Sequence, residues 1–210
     1  MASEKRLGLE IVPGLRLFKG FFAPPEQKML VETIREIVRQ APLYTPQMPR
    51  TGKPLSVRMT NCGSLGWLTD KEHGYRYQAN HPQTGKPWPE IPGALLELWK
   101  EVADFPREPE ACLINYYEPA AKMGLHQDSD EKNYDAPVVS VSLGDTCLFR
   151  IGGTNRKDRT QSLKLESGDV LVMGGEARLC FHGVDRIYPG TNDLLKDDGR
   201  INLTLRRVND

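Results

Sequence analysis

The chain carries no excess charge of either sign. Its 28 basic residues meet 28 acidic ones, so any affinity for nucleic acid must come from local patches. Long apolar runs are missing too: none approaches the roughly 18 residues that a spanning helix needs. The opening Met1-Ala2-Ser3-Glu4-Lys5-Arg6 leads into no apolar stretch of signal-peptide length, so no membrane association is expected. Cysteine is scarce, at 4 residues, and Cys62, Cys112, Cys147 and Cys180 form no Cys-x-x-Cys pair, which excludes a zinc ribbon. Cysteines in apolar, β-like segments behave as small hydrophobes, and a reduced, cytoplasmic protein is expected. Repeats and low-complexity tracts are absent. What is present is ordinary globular material, 39% hydrophobic and 27% charged. A length of 210 residues suits one domain with its own core.

Two helices are predicted. The first spans Pro25 to Gln40, with Met29, Leu30, Ile34, Ile37 and Val38 on its apolar face, and the second spans Pro92 to Ala103. From Ala111 the pattern turns to short β-prone runs: Ala111–Tyr117, Val138–Leu143, Cys147–Ile151, Ser162–Leu165, Val170–Met173, Arg178–Phe181 and Arg200–Val208. Turn signals such as Gly152-Gly153 and Ser167-Gly168-Asp169 separate them. Short strands at this spacing indicate a sandwich or jelly roll, mainly β with flanking helices. Gln40 to Pro92 reads as an elaborated loop-and-strand region.

His126-Gln127-Asp128 sets an imidazole and a carboxylate two residues apart, on one face of an extended chain. His182 follows at the end of a later apolar run. Two histidines and a carboxylate with open positions are the ligand set of non-haem Fe(II) oxygenases, although the same trio also suits zinc. His73 and His81 sit among polar, turn-like neighbours and read as surface residues. The run Arg200-Ile201-Asn202-Leu203-Thr204-Leu205-Arg206 alternates strictly, placing Arg200, Asn202, Thr204 and Arg206 on one face. The plain alternative is a half-solvated strand. Against it, both ends of the polar face are arginines about 20 Å apart with no acid in the strand to pair them. Each guanidinium matches a carboxylate with parallel charge-assisted bonds. An open metal site beside a dicarboxylate clamp describes an enzyme that uses 2-oxoglutarate.

Those residues, with their surroundings, resemble the AlkB family of Fe(II)/2-oxoglutarate dioxygenases. Asn115-Tyr116-Tyr117-Glu118-Pro119, Leu125-His126-Gln127-Asp128, Val139-Ser140-Val141-Ser142-Leu143-Gly144, and Met59-Thr60-Asn61-Cys62-Gly63 with Leu65-Gly66-Trp67 carry the likeness. It runs from Met59 to Arg206. The resemblance implies a double-stranded β-helix core over about 111–208, under a nucleotide-recognition lid over about 45–90, in a single domain of 1–210. It implies iron on His126, Asp128 and His182, and 2-oxoglutarate on Asn115, Tyr117, Arg200, Asn202, Thr204 and Arg206. Arg200 would take the distal carboxylate and Arg206 the end nearest the metal. Substrate contacts fall on Trp67, Tyr75, Arg76, Tyr77, Asp130 and Arg156. The implied activity is removal of N-alkyl groups from bases in DNA, with RNA left open, by a monomer. The chain departs from the family at Ser129, Met173 and Leu205.

Local charge agrees with a nucleic-acid partner. Between Ile37 and Thr69 no acid offsets Arg39, Arg50, Lys53 and Arg58. Between Arg150 and Lys164 only Asp158 offsets Arg150, Arg156, Lys157, Arg159 and Lys164. Solvated loop charge explains either stretch alone, and Trp67 taken alone reads equally as a packing residue. Rival readings are a hydroxylase of a protein or small molecule, a non-catalytic jelly roll that binds nucleic acid, and a zinc hydrolase.

Overall fold

The computed structural model describes residues 7–210. Residues 1–6, which the expected domain includes, lie outside the described residues. In chain order the strands are β1 (Leu9–Val12), β2 (Leu15–Phe18), β3 (Val57–Gly63), β4 (Gly66–Asp70), β5 (Gly74–Gln78), β6 (Ala111–Tyr117) and β7 (Met123–His126). They continue with β8 (Val138–Gly144), β9 (Cys147–Ile151), β10 (Gln161–Leu165), β11 (Val170–Met173), β12 (His182–Ile187) and β13 (Arg200–Arg206). A seven-stranded sheet, β1-β2-β11-β8-β13-β6-β3, faces a four-stranded sheet, β10-β9-β12-β7. Every pairing is antiparallel, giving the predicted jelly-roll sandwich. Leu17, Val57, Val138, Phe149, Leu171 and Ile187 fill the space between the sheets.

Helices α1 (Pro24–Gln40) and α2 (Gly93–Val102) cover the outer face of the larger sheet. Pro24 and Pro25 preset the helical backbone of α1, and the Glu26 carboxylate accepts the Ala23 N–H at 2.7 Å. Leu30, Ile34 and Ile37 bury the inner stripe. Met29, expected on that stripe, is instead 71% exposed, because it sits about 100° round the helix from Leu30.

Strand β13 shows how the sandwich creates a site. Ile201, Leu203 and Leu205 pack toward the helices, while Arg200, Asn202, Thr204 and Arg206 line a cavity between the sheets. Both faces are buried, so the half-solvated reading fails; Arg200 is only 1% exposed.

Three further expectations change. Arg178–Phe181 is not a strand. A short 3-10 turn over Gly175–Ala177 runs into it, with Arg178 N–H bonded to the Gly175 carbonyl and Cys180 N–H to that of Ala177. Backbone groups used in a turn cannot join a ladder, and pairing begins at His182. His81 is not a surface residue: it is 1% exposed and lies against Tyr44 and Trp88. Its Nδ1 accepts the N–H groups of Gln83 and Thr84, while its Nε2–H donates to the Pro42 carbonyl. Strands β1, β2 and β7 were not anticipated, being only four residues each, too short to show a clear alternation. The cysteines are buried and free, and no helix among the described residues is long and apolar enough to cross a membrane.

Candidate active site

His126 ends β7 and His182 begins β12, and the two are direct cross-strand partners. Close approach of these strands depends on Gly183, where a Cβ would lie 2.4 Å from the Met123 carbonyl oxygen. The rings end 4.5 Å apart between centroids. Asp128, two residues past His126, brings its carboxylate between them: Oδ1 is 3.7 Å from His126 Nε2, and Oδ2 is 3.7 Å from His182 Nε2. All three ligand atoms lie within 4.8 Å of one another.

Hydrogen bonding settles which nitrogens are available. His126 Nδ1 faces the Gly124 carbonyl at 2.9 Å, and His182 Nδ1 faces the Cys180 carbonyl at 3.0 Å. A carbonyl only accepts, so each Nδ1 carries the proton and each Nε2 turns a lone pair toward Asp128. Burial, reinforced by the neighbouring His126, lowers the His182 pKa to about 4, which keeps its ring neutral. Burial opposes the charge on Asp128, but Arg206, His182 and His126 together hold its carboxyl well below the usual carboxylate range. Two imidazoles that turn Nε2 toward one ionised carboxylate are a donor set that suits Fe(II).

Asn115, Tyr117, Arg200, Asn202, Thr204 and Arg206 all line the same cavity of about 860 Å³. Asn202 is held by Ser140 and the Val141 carbonyl, and accepts from the Thr204 hydroxyl. Burial raises the Tyr117 hydroxyl pKa, so it remains a donor. Arg200 spends one nitrogen on Ser142 Oγ at 2.9 Å. Its Nε and Nη1, and Nε of Arg206, are buried N–H groups with no protein partner among the described residues. Unpaired buried donors are costly, and carboxylate oxygens would satisfy these. The chain therefore fits 2-oxoglutarate, with unequal ends. Arg206 is already bonded to Asp128 at 2.6 Å and Glu131 at 2.9 Å, two acids that the strand sequence did not show. Arg200 is the freer guanidinium.

The cavity opens beneath the antiparallel hairpin of β4 and β5. Trp67 and Tyr75 stack at 5.7 Å at its mouth, and the Trp67 indole donates to Asp130 Oδ2 at 2.7 Å. Arg156, over the Phe181 ring, forms another part of the rim. Tyr77 and Arg76 stand apart from the cavity wall. The Tyr77 hydroxyl bonds Glu131 and Arg206, and Arg76, alternating to the opposite face of the hairpin, pairs with Asp70 at 2.7 Å. Sequence reasoning passed over Glu131, Arg178 and Ser142. An acid three residues after Asp128 was the available signal for the first, and nothing local marked the others.

A family model described as the 2OG-Fe(II) oxygenase superfamily matches residues 14–206. An "Alpha-ketoglutarate-dependent dioxygenase AlkB homolog" of Caulobacter vibrioides is 53% identical over 200 residues, covering 95% of this chain and 90% of the relative. An Arabidopsis thaliana protein named "DNA N(6)-methyladenine demethylase ALKBH1D" is 33% identical over 93% of this chain, which spans 50% of that relative. Among solved structures, "The structure of OsALKBH1" superimposes with a TM-score of 0.83 at 33% identity, covering 95% of this chain and 99% of that one. With a family model over residues 14–206, a relative 53% identical across 95% of the chain and a candidate His-Asp-His metal cluster in the fold, the chain belongs to the 2OG-Fe(II) oxygenase superfamily, as an AlkB-type dioxygenase that uses Fe(II) and 2-oxoglutarate.

Proposed function

We propose that this protein removes N-alkyl groups, such as those of 1-methyladenine and 3-methylcytosine, from bases in DNA and also in RNA. One observation carries the reading: the ligand cluster lies in a cavity of about 860 Å³ with the aromatic pair Trp67 and Tyr75 at its mouth. His126, Asp128 and His182 would hold the metal, which with 2-oxoglutarate and oxygen supplies the oxidant. The other residues act on what surrounds it. Arg200 binds the distal carboxylate through its unpaired N–H groups, Arg206 serves the end nearest the metal, and Tyr117, Asn115, Asn202 and Thr204 shape the space between.

Residues 45–90 form the recognition lid and 111–208 the catalytic core. Trp67 stacks on the extruded base, Tyr75 extends that platform, and Asp130 accepts from the exocyclic amine. Arg156, with Arg76 and Tyr77 on the lid, contributes to holding the strand. Extrusion costs a few kcal/mol, least for a lesion that already blocks pairing. One oxygen atom enters the N-methyl C–H bond and the other enters succinate, with loss of CO₂. The hydroxymethyl group then loses its hydroxyl proton, and the C–N electron pair returns to the base, releasing formaldehyde. A cytoplasmic monomer acting on single and double strands is the proposed form.

The test is iron-dependent turnover on a panel of alkylated DNA and RNA oligonucleotides, read by mass spectrometry. Repaired base with stoichiometric formaldehyde is expected. Succinate formation with no lesion repaired overturns the reading in favour of a protein or small-molecule hydroxylase.

A further inference from the structure

Glu131 has a fully enclosed side chain, at 0% exposure, and the ligand cluster does not itself require it. Its Oε1 accepts from Arg206 Nη1 at 2.9 Å and from the Tyr77 hydroxyl, and its Oε2 accepts from Arg178 Nη2 at 3.1 Å. Each of those arginines also grips Asp128. Arg206 Nη2 donates to Asp128 Oδ1 at 2.6 Å, and Arg178 Nη1 donates to the Asp128 backbone carbonyl at 2.6 Å. Arg178 Nε is spent on the Ala136 carbonyl at 2.9 Å, so its fork is fully used. Asp128 is thereby held at its backbone and at its carboxylate by two guanidiniums that share one anchor.

Stability alone is a poor account of this cluster. Four buried charges cancel in pairs, and apolar residues of similar volume often serve a core as well. What paired forks add is direction. A carboxylate that must meet a cation at a set angle gains from neighbours that remove its rotational freedom, and partners of metal ligands are known to act in this way.

We propose that Glu131 is a positioning residue, which orients Asp128 for the metal by fastening Arg178 and Arg206 together. Through the Tyr77 hydroxyl the same carboxylate also joins the β4–β5 hairpin to the metal floor. The proposal rests on the metal-site reading above, but not on the identity of the alkylated substrate.

The test uses the full chain without substrate. Glu131→Gln keeps the shape and removes the charge, while Arg178→Lys keeps the charge and loses the fork. Circular dichroism and thermal melts report folding. Anaerobic titration with Co(II), followed by its visible absorption bands, reports affinity and ligand geometry. Glu131→Gln is expected to weaken Co(II) binding by about 10–100-fold and to shift the bands. Arg178→Lys should weaken it in the same direction, with the double variant losing less than the two single losses combined, because both act through one path. Folded variants with wild-type affinity and wild-type bands overturn the proposal, even if they melt earlier. If Glu131→Gln does not fold, Arg178→Lys decides by the same criteria. A wild-type chain that binds no Co(II) overturns the metal-site reading and this inference together.

Discussion

At the floor of the cavity, Asp128, His182, Glu131, Arg178 and Arg206 are buried and cross-bonded between strands of both sheets and their connecting loops. At its mouth, Tyr75, Asp130 and Arg156 are exposed and Trp67 is half-buried, and their side chains meet in a stack, an indole hydrogen bond and a cation–π contact. The floor is built for one arrangement of atoms, as a metal requires. The mouth leaves aromatic and charged side chains open to solvent, where an entering base would meet them. Burial and exposure are thus divided between the floor and the mouth, so substitutions in the two regions should fail in different ways.

The sharpest break is at the ligands. Asp128→Ala or His182→Ala should cut formaldehyde release by more than about 100-fold, beyond the range expected for a mere neighbour of a ligand. Metal content measured alongside activity checks the cause. Next comes Arg200→Met. Removing two charge-assisted bonds, each about 1.5–3 kcal/mol, should raise the KM for 2-oxoglutarate by roughly 100-fold or more. The same change removes buried unpaired N–H groups, so the melting temperature without 2-oxoglutarate should hold or rise. A fall in both affinity and stability would mean Arg200 is structural.

The mouth should respond more mildly. Trp67→Ala removes a stacking surface worth about 1–3 kcal/mol, so the KM for a methylated oligonucleotide should rise about 5–100-fold. Succinate formation without oligonucleotide should persist, which separates the hairpin from the floor. Asp130→Asn is the smallest change, since an amide oxygen still accepts. A loss of about two- to tenfold, differing between 1-methyladenine and 3-methylcytosine, is expected from competition assays. Equal losses for every lesion would argue that Asp130 serves only to seat Trp67.

Much of the floor was legible in the order of residues. His126-x-Asp128 is a local pattern, and the alternation of Arg200 to Arg206 reports its two faces directly, because side chains on a strand alternate whatever the strand packs against. The mouth was legible mainly through family likeness, since Trp67 taken alone reads equally well as a packing residue. Misreadings cluster where neighbours in space overrule neighbours in sequence. His81 looked solvated among polar residues, yet Tyr44 and Trp88 close over it. Arg178 to Phe181 looked like a strand, yet its backbone is consumed in turns that deliver Arg178 beneath Asp128.

The sequence by itself determined the ligand types, the alternating strand with its arginines, the two helices and the sandwich class, because these depend on side-chain chemistry and on local periodicity. Only the tertiary structure decided that Arg206 is shared with Asp128 and Glu131 while Arg200 stays open, and that Arg76 turns away from the cavity. Hydrogen bonds and ion pairs act over a few ångströms, so partners far apart in the chain are chosen by how the sheets fold together, and no local pattern records that choice.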